Sequence, residues 1–217
     1  MKIYKVITLL LTYPEQDWLQ SIGELRATVA AETGRGRHAG RRLDLLLLYL
    51  ERGRLIDLQE AYVETFDRNP AHSLLIFEHT MGESRERGAA MARLVEEYRQ
   101  AGLEVTSNEL PDFLPVFLEF LSLISPEEAQ ERLVGIEDVV ETLQSRLADV
   151  RSPYAGAFDA LTALTPGSAF GVSSPIRSMK RFLRRKQSGV RMGVPGTLTK
   201  EPLGDDGHRG AQHDLRR

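Results

Sequence analysis

No cysteine occurs among the 217 residues. That excludes disulfides, thiolate nucleophiles and cysteine-ligated metals, and it fits a reducing compartment. Histidine occurs five times, with three before residue 165, and so sparse a set argues against a dedicated zinc or iron site. Long apolar runs are missing as well. The four-leucine run Leu45 to Leu48 makes one helical turn, where a membrane span needs roughly 20 residues. No stretch alternates apolar and polar residues as a half-buried strand does, and there is no internal repeat. At the N-terminus two lysines sit in an apolar stretch, but Tyr13-Pro14-Glu15 follows at once in place of a small-residue cleavage site. The stretch therefore reads as a first buried helix, not a signal peptide.

What is present is ordinary for a globular chain: 41% hydrophobic and 27% charged residues. The net charge of −3 hides two unlike parts. Residues 1–164 carry 17 Lys and Arg against 27 Asp and Glu, a net of −10. Residues 165–217 carry 11 against 4, a net of +7, with 8 Gly and 4 Pro. An acidic body repels nucleic acid and steers toward basic partners. A body of about 150 residues also buries roughly 70% of its unfolded surface, enough for a core without staples.

Helical spacing dominates that body. Ile3, Val6, Ile7, Leu10 and Leu11 make one stripe, which Pro14 stops. Leu19 to Val29 makes a second, Thr33 to Gly40 reads as a loop, and Leu43 to Leu50 resumes as helix. Leu55, Leu58, Tyr62 and Phe66 lead to Asn69-Pro70, where helix is disfavoured. Another helix is predicted from about Ser84 to Ala101, with Gly102 as its C-terminal cap. Ser125-Pro126-Glu127-Glu128 reads as a capping box opening a helix of about six turns through Leu147, and Pro153 opens a last helix to Leu164. The fold class is all-α: a single-domain helical bundle over residues 1–164. Residues 165–217 read as a basic Gly/Pro-rich tail, largely disordered on composition. It includes the cluster Lys180-Arg181-Phe182-Leu183-Arg184-Arg185-Lys186. A chain ending near Thr165 is expected to keep its helicity and its binding affinity.

Catalytic patterns fail on inspection. Gly82-Glu83-Ser84-Arg85-Glu86 lacks the closing glycine of a nucleophile elbow and has no strand before it. Gly34-Arg35-Gly36 has no βαβ unit around it. Leu75 stands where an H-x-x-E-H metal motif ending at Glu78-His79 requires histidine. The chain reads as no enzyme, with no cofactor and no metal.

Two segments are too particular for generic helix. One runs from Phe66-Asp67-Arg68-Asn69-Pro70 through Ile76-Phe77-Glu78-His79 to Arg85-Glu86-Arg87-Gly88. The other is Asn108-Glu109-Leu110-Pro111-Asp112-Phe113-Leu114-Pro115 with the apolar stretch behind it. A helix apolar nearly all round is either central in the bundle or lines a groove. IYKVITLLLTYP, LQEAYVETFDRNPAHSLLIFEHTMGESRERGAAM and NELPDFLPVFLEFLS resemble the NarJ-type assembly chaperones of respiratory nitrate reductase, within the TorD superfamily. The resemblance covers about Ile3 to Leu164. Phe113 departs from it, since a histidine often follows the Pro-Asp pair in that superfamily.

The resemblance implies an all-helical cytoplasmic chaperone, and the acidic body and lack of a long apolar run add the expectation of no nucleic-acid partner and no stable membrane insertion. It would bind the N-terminal leader of the nitrate reductase catalytic (alpha) subunit until molybdenum cofactor is inserted, before membrane anchoring. The alternative client is another twin-arginine-exported molybdoenzyme. Helix-in-groove docking would supply the affinity. The expected groove is lined by Tyr62, Phe66, Phe77, Leu114 and Phe117. Its acidic rim is expected at Asp67, Glu109, Asp112 and Glu119, with Glu78, His79, Arg85 and Arg87 as a polar network shaping it.

Overall fold

The protein, described by a computed structural model, is resolved into elements over residues 1–33, 38–82, 84–105 and 109–165. The expected tail lies outside them. Eleven α-helices follow one another among the described residues, and the only β pairing there is an isolated bridge between Leu75 and Phe113. The all-α expectation holds.

Helix α1 (Lys2–Leu10) buries Ile3, Tyr4, Val6, Ile7 and Leu10. Beyond it come α2 (Gln16–Leu19), α3 (Ile22–Thr33) and α4 (His38–Arg52). Helix α4 begins inside the stretch read as a loop to Gly40. Helix α5 (Leu55–Tyr62) passes into a π-helical turn, Val63–Asp67, then a 3-10 turn, Pro70–His72, capped by the Asn69 side chain accepting from Ala71 N–H. Helices α6 (Ile76–Thr80) and α7 (Arg85–Gln100) follow. Gly102, at φ +59°, takes the left-handed conformation that ends α7, and Leu103 N–H closes back on Tyr98 O at 2.8 Å.

Helix α8 (Leu114–Leu123) is the centre of the bundle. Every residue from Leu114 to Leu121 is buried, Glu119 included. It packs on α1, where the buried Thr8 hydroxyl reaches Pro115 O at 3.3 Å. Helix α9 (Pro126–Val134) opens with the expected capping box: Ser125 Oγ accepts Glu128 N–H at 3.3 Å while Ser125 N–H donates to Glu128 Oε2 at 3.4 Å. The six-turn helix expected from there is two helices, because the chain turns at Gly135-Ile136 before α10 (Glu137–Asp149). Ile136 remains buried, so the apolar spacing runs straight through the break. Helix α11 (Ala155–Leu164) lies against α4 and α10. Gly156 permits that approach, since a Cβ there would stand 2.5 Å from Arg42 O.

Candidate binding cleft

A cleft of about 1120 Å³ opens between the N-terminal helix and the segment around the π turn. On one side lie Lys5 and Leu9 of α1, then Tyr13, Glu15, Asp17 and Trp18 from the elbow into α2. On the other lie Tyr62, Phe66, Asp67, Leu74 and Glu78, with Glu109 and Phe113 closing the end.

The elbow is held from both directions. Trp18 Nε1 donates to Tyr13 O at 3.2 Å, and Gln59 Nε2 donates to Pro14 O at 2.8 Å. The Tyr62 hydroxyl donates to Leu11 O at 3.0 Å, tying α5 to the end of α1. Behind the far wall the rings form a cluster: Tyr13 meets Tyr62 edge-on at 5.7 Å, Tyr62 tilts on Phe66 at 5.0 Å, and Phe66 meets Tyr154 at 4.9 Å. Edge-to-face pairs of this kind add to simple burial and fix ring orientation. Burial raises the Tyr62 phenol far above its ordinary range, so it stays a neutral donor.

The π turn aims this wall. Arg68 N–H reaches Val63 O at 3.0 Å, one residue farther back than an α-helical bond. The wider turn leaves Thr65 O facing His72, whose Nδ1 lies 3.1 Å away. The Asn69 side-chain Nδ2 lies 3.2 Å from the same ring nitrogen, so His72 ties the π turn to the 3-10 turn. Phe66 and Asp67, on this turn, both face the cleft.

Charge in the cleft is one-sided. Five carboxylates line it, at Glu15, Asp17, Asp67, Glu78 and Glu109, with one cation, Lys5. Lys5 is already engaged by Glu119 at 2.5 Å. Glu119 is wholly buried, and burial pushes its carboxyl above the usual range against the pull of Lys5. The apolar surface between these acids and the negative field over them suit a ligand that is apolar on one face and cationic on the other.

The two distinctive sequence segments meet at this wall. Leu75 pairs with Phe113, with Ile76 N–H on Asp112 O at 2.9 Å and Leu114 N–H on Leu74 O at 2.8 Å. Asp112 is fully buried and its Oδ2 accepts Phe77 N–H at 3.0 Å. Arg87 reaches that carboxylate at 3.9 Å and Glu78 at 3.6 Å. Burial pushes the Asp112 carboxyl up, with the Phe77 N–H and Arg87 opposing.

Of the expected site residues, Tyr62, Phe66, Asp67, Glu78 and Glu109 line the cleft. Phe77, Leu114 and Phe117 do not; each is at most 1% exposed. Helix α8 spends its apolar excess on neighbours all round, as a central helix does. Asp112 and Glu119 are not rim residues either, because both are inside, bonded to Phe77 N–H and to Lys5. His79 donates from Nε2 to Ser73 O at 2.7 Å with Arg146 behind it, and holds the loop, whereas Arg85 is exposed at the start of α7. Sequence reasoning missed Lys5, Leu9, Tyr13 and Trp18. The signal was Trp18 itself, the single tryptophan, standing among acids just past a helix stop.

The family model described as "Nitrate reductase delta subunit" matches residues 37–160. The chain belongs to the nitrate reductase delta subunit family. Among relatives, it is 40% identical over 159 residues to the nitrate reductase molybdenum cofactor assembly chaperone NarJ of Escherichia coli K12, covering 73% of this chain and 67% of that protein. It is 36% identical to the probable assembly chaperone NarW of the same organism, over 77% and 70% of the two chains. A probable assembly chaperone NarJ of Bacillus subtilis is 31% identical, over 74% and 86%. These delta subunit family relatives are named as chaperones, not as catalysts. Among the described residues no cluster could hold a metal ion and no helix is long and apolar enough to cross a membrane.

Proposed function

We propose that this protein is an assembly chaperone for respiratory nitrate reductase and not an enzyme. It binds the N-terminal leader of the catalytic alpha subunit in the cleft and keeps that subunit competent for molybdenum cofactor insertion and complex assembly, before membrane anchoring, in the cytoplasm. Residues 1–164 are the chaperone domain and residues 165–217 an appended tail. The observation that carries the reading is the acidic, aromatic-walled cleft at which both distinctive segments converge, in a chain of the delta subunit family. A leader with an apolar face and basic residues would lay that face against Leu9, Trp18, Phe66 and Phe113. The carboxylates around them would raise its association rate and fix its polarity. Apolar anchoring then sets most of the affinity.

The test is a titration of the protein with a synthetic alpha-subunit leader, followed by the fluorescence of Trp18, the one tryptophan. Saturable, salt-sensitive binding with a shifted emission is expected. A twin-arginine leader from another molybdoenzyme serves as the competitor. If that peptide alone binds, the client is the other enzyme; if neither binds, the cleft is not a leader site.

A further inference from the structure

The last described helix starts close to the cleft. Tyr154, immediately before α11, packs its ring on Phe66 of the cleft wall, with centroids 4.9 Å apart. Helix α11 has 10 residues and so carries the chain about 15 Å onward. Thr165 at its far end is buried, its hydroxyl bonded to Leu161 O at 3.3 Å. The residues 166–175 that follow can span up to about 33 Å, more than enough to return.

What then arrives has the chemistry the cleft selects. Residues 176–186 read IRSMKRFLRRK, with 6 Lys and Arg and no acid. Ile176, Met179, Phe182 and Leu183 have the spacing of a single helical face, and most of the basic residues fall elsewhere. The cleft offers aromatic and aliphatic surface ringed by Glu15, Asp17, Asp67, Glu78 and Glu109. The wider charge balance matches, with −10 on residues 1–164 and +7 beyond them.

We infer that residues 176–186 of this chain seat in the cleft when no client is bound, acting as an internal competitor for it. The inference rests on the reading of the cleft as the leader site, and it replaces the expectation that the tail leaves affinity unchanged. A tethered segment sees the cleft at an effective concentration near the millimolar range, so weak intrinsic affinity suffices for it to compete. A leader must then displace it, which raises the discrimination demanded of a client.

The test uses the full chain. A photoreactive residue in place of Phe182 should crosslink within one molecule to peptides containing Trp18 or Phe113. A synthetic peptide of the sequence Ile176 to Lys186 should bind the full-length Arg181→Glu/Arg184→Glu variant about tenfold tighter than the unsubstituted chain, because the internal competitor is gone. Circular dichroism should be the same for both. Equal peptide affinity for the two chains overturns the proposal, as do crosslinks mapping away from the cleft or joining two molecules. A leader peptide carrying its own photoreactive group separates the two claims. If it marks the cleft while position 182 does not, the competitor falls and the leader site stands. If position 182 marks the cleft and the leader does not, the leader site falls and the competitor's role with it.

Discussion

The Asp112 carboxylate accepts the backbone N–H of Phe77 at 3.0 Å, joining positions 35 residues apart in the chain. It caps the start of α6 from inside the protein, with Arg87 at 3.9 Å as the nearest counter-charge. Truncating one partner of a buried charge-assisted contact leaves the other unsatisfied. Asp112→Ala should therefore cost about 2–3 kcal/mol in urea unfolding. Arg87→Ala should cost a similar amount, and the double variant less than the sum. Additive losses would show that the two side chains act separately. Because Asp112 is inside, Asp112→Asn should leave the leader's association rate unchanged.

Acids buried in this way set a pH signature. Asp112, Glu97 and Glu119 all have carboxyls raised by burial, partly countered by Arg87, Arg132 and Lys5. A raised folded value means that the protonated form favours folding. Each such contribution is complete below the unfolded value of about 4 and is lost as pH climbs through the folded one. Glu119→Gln removes one of these losses. Unfolding free energies at about pH 4 and about pH 7 should move in the variant's favour as pH rises, and a difference independent of pH would contradict the assignment.

Trp18 and Phe113 are half-buried at the cleft and sit outside the fully buried core. Trp18→Ala should weaken leader binding about tenfold while changing stability by under about 1 kcal/mol. Glu109→Gln with Asp67→Asn should instead slow association and flatten its salt dependence, with little change in dissociation. Stopped-flow kinetics at two salt concentrations separates the two effects.

Gly156 faces the α4 backbone with no room for a side chain. Gly156→Ala should destabilise by about 1–3 kcal/mol through overpacking, visible as a lower melting temperature. The aromatic cluster around Tyr154 should loosen with it.

The helices were legible in the sequence wherever one stripe faced one core, as in α1 or α7, and where a cap was chemically explicit, as at Ser125 and Gly102. The division at Gly135 was not, because Ile136 continues the apolar spacing on the far side of the turn. The cleft was half legible. Tyr62, Phe66, Asp67, Glu78 and Glu109 are in it, but the apolar excess of α8 was assigned to a groove when it belongs to the centre. Composition reports how much apolar surface a helix carries, not how many neighbours it will have. The π turn left no pattern in the sequence, since the apolar spacing of Leu58, Tyr62 and Phe66 continues through it. His72→Ala should make the amides of Val63–Asp67 exchange faster with solvent, at a cost of about 1 kcal/mol in stability.

The pairing of Leu75 with Phe113 also fixes when the cleft comes into being. During synthesis, α1 lacks its main partner until α8 has been made, more than a hundred residues later. The 62–78 wall gains its bridge only once Phe113 is available, and the ring behind Phe66 only at Tyr154. A nascent or truncated body therefore has no finished site to offer.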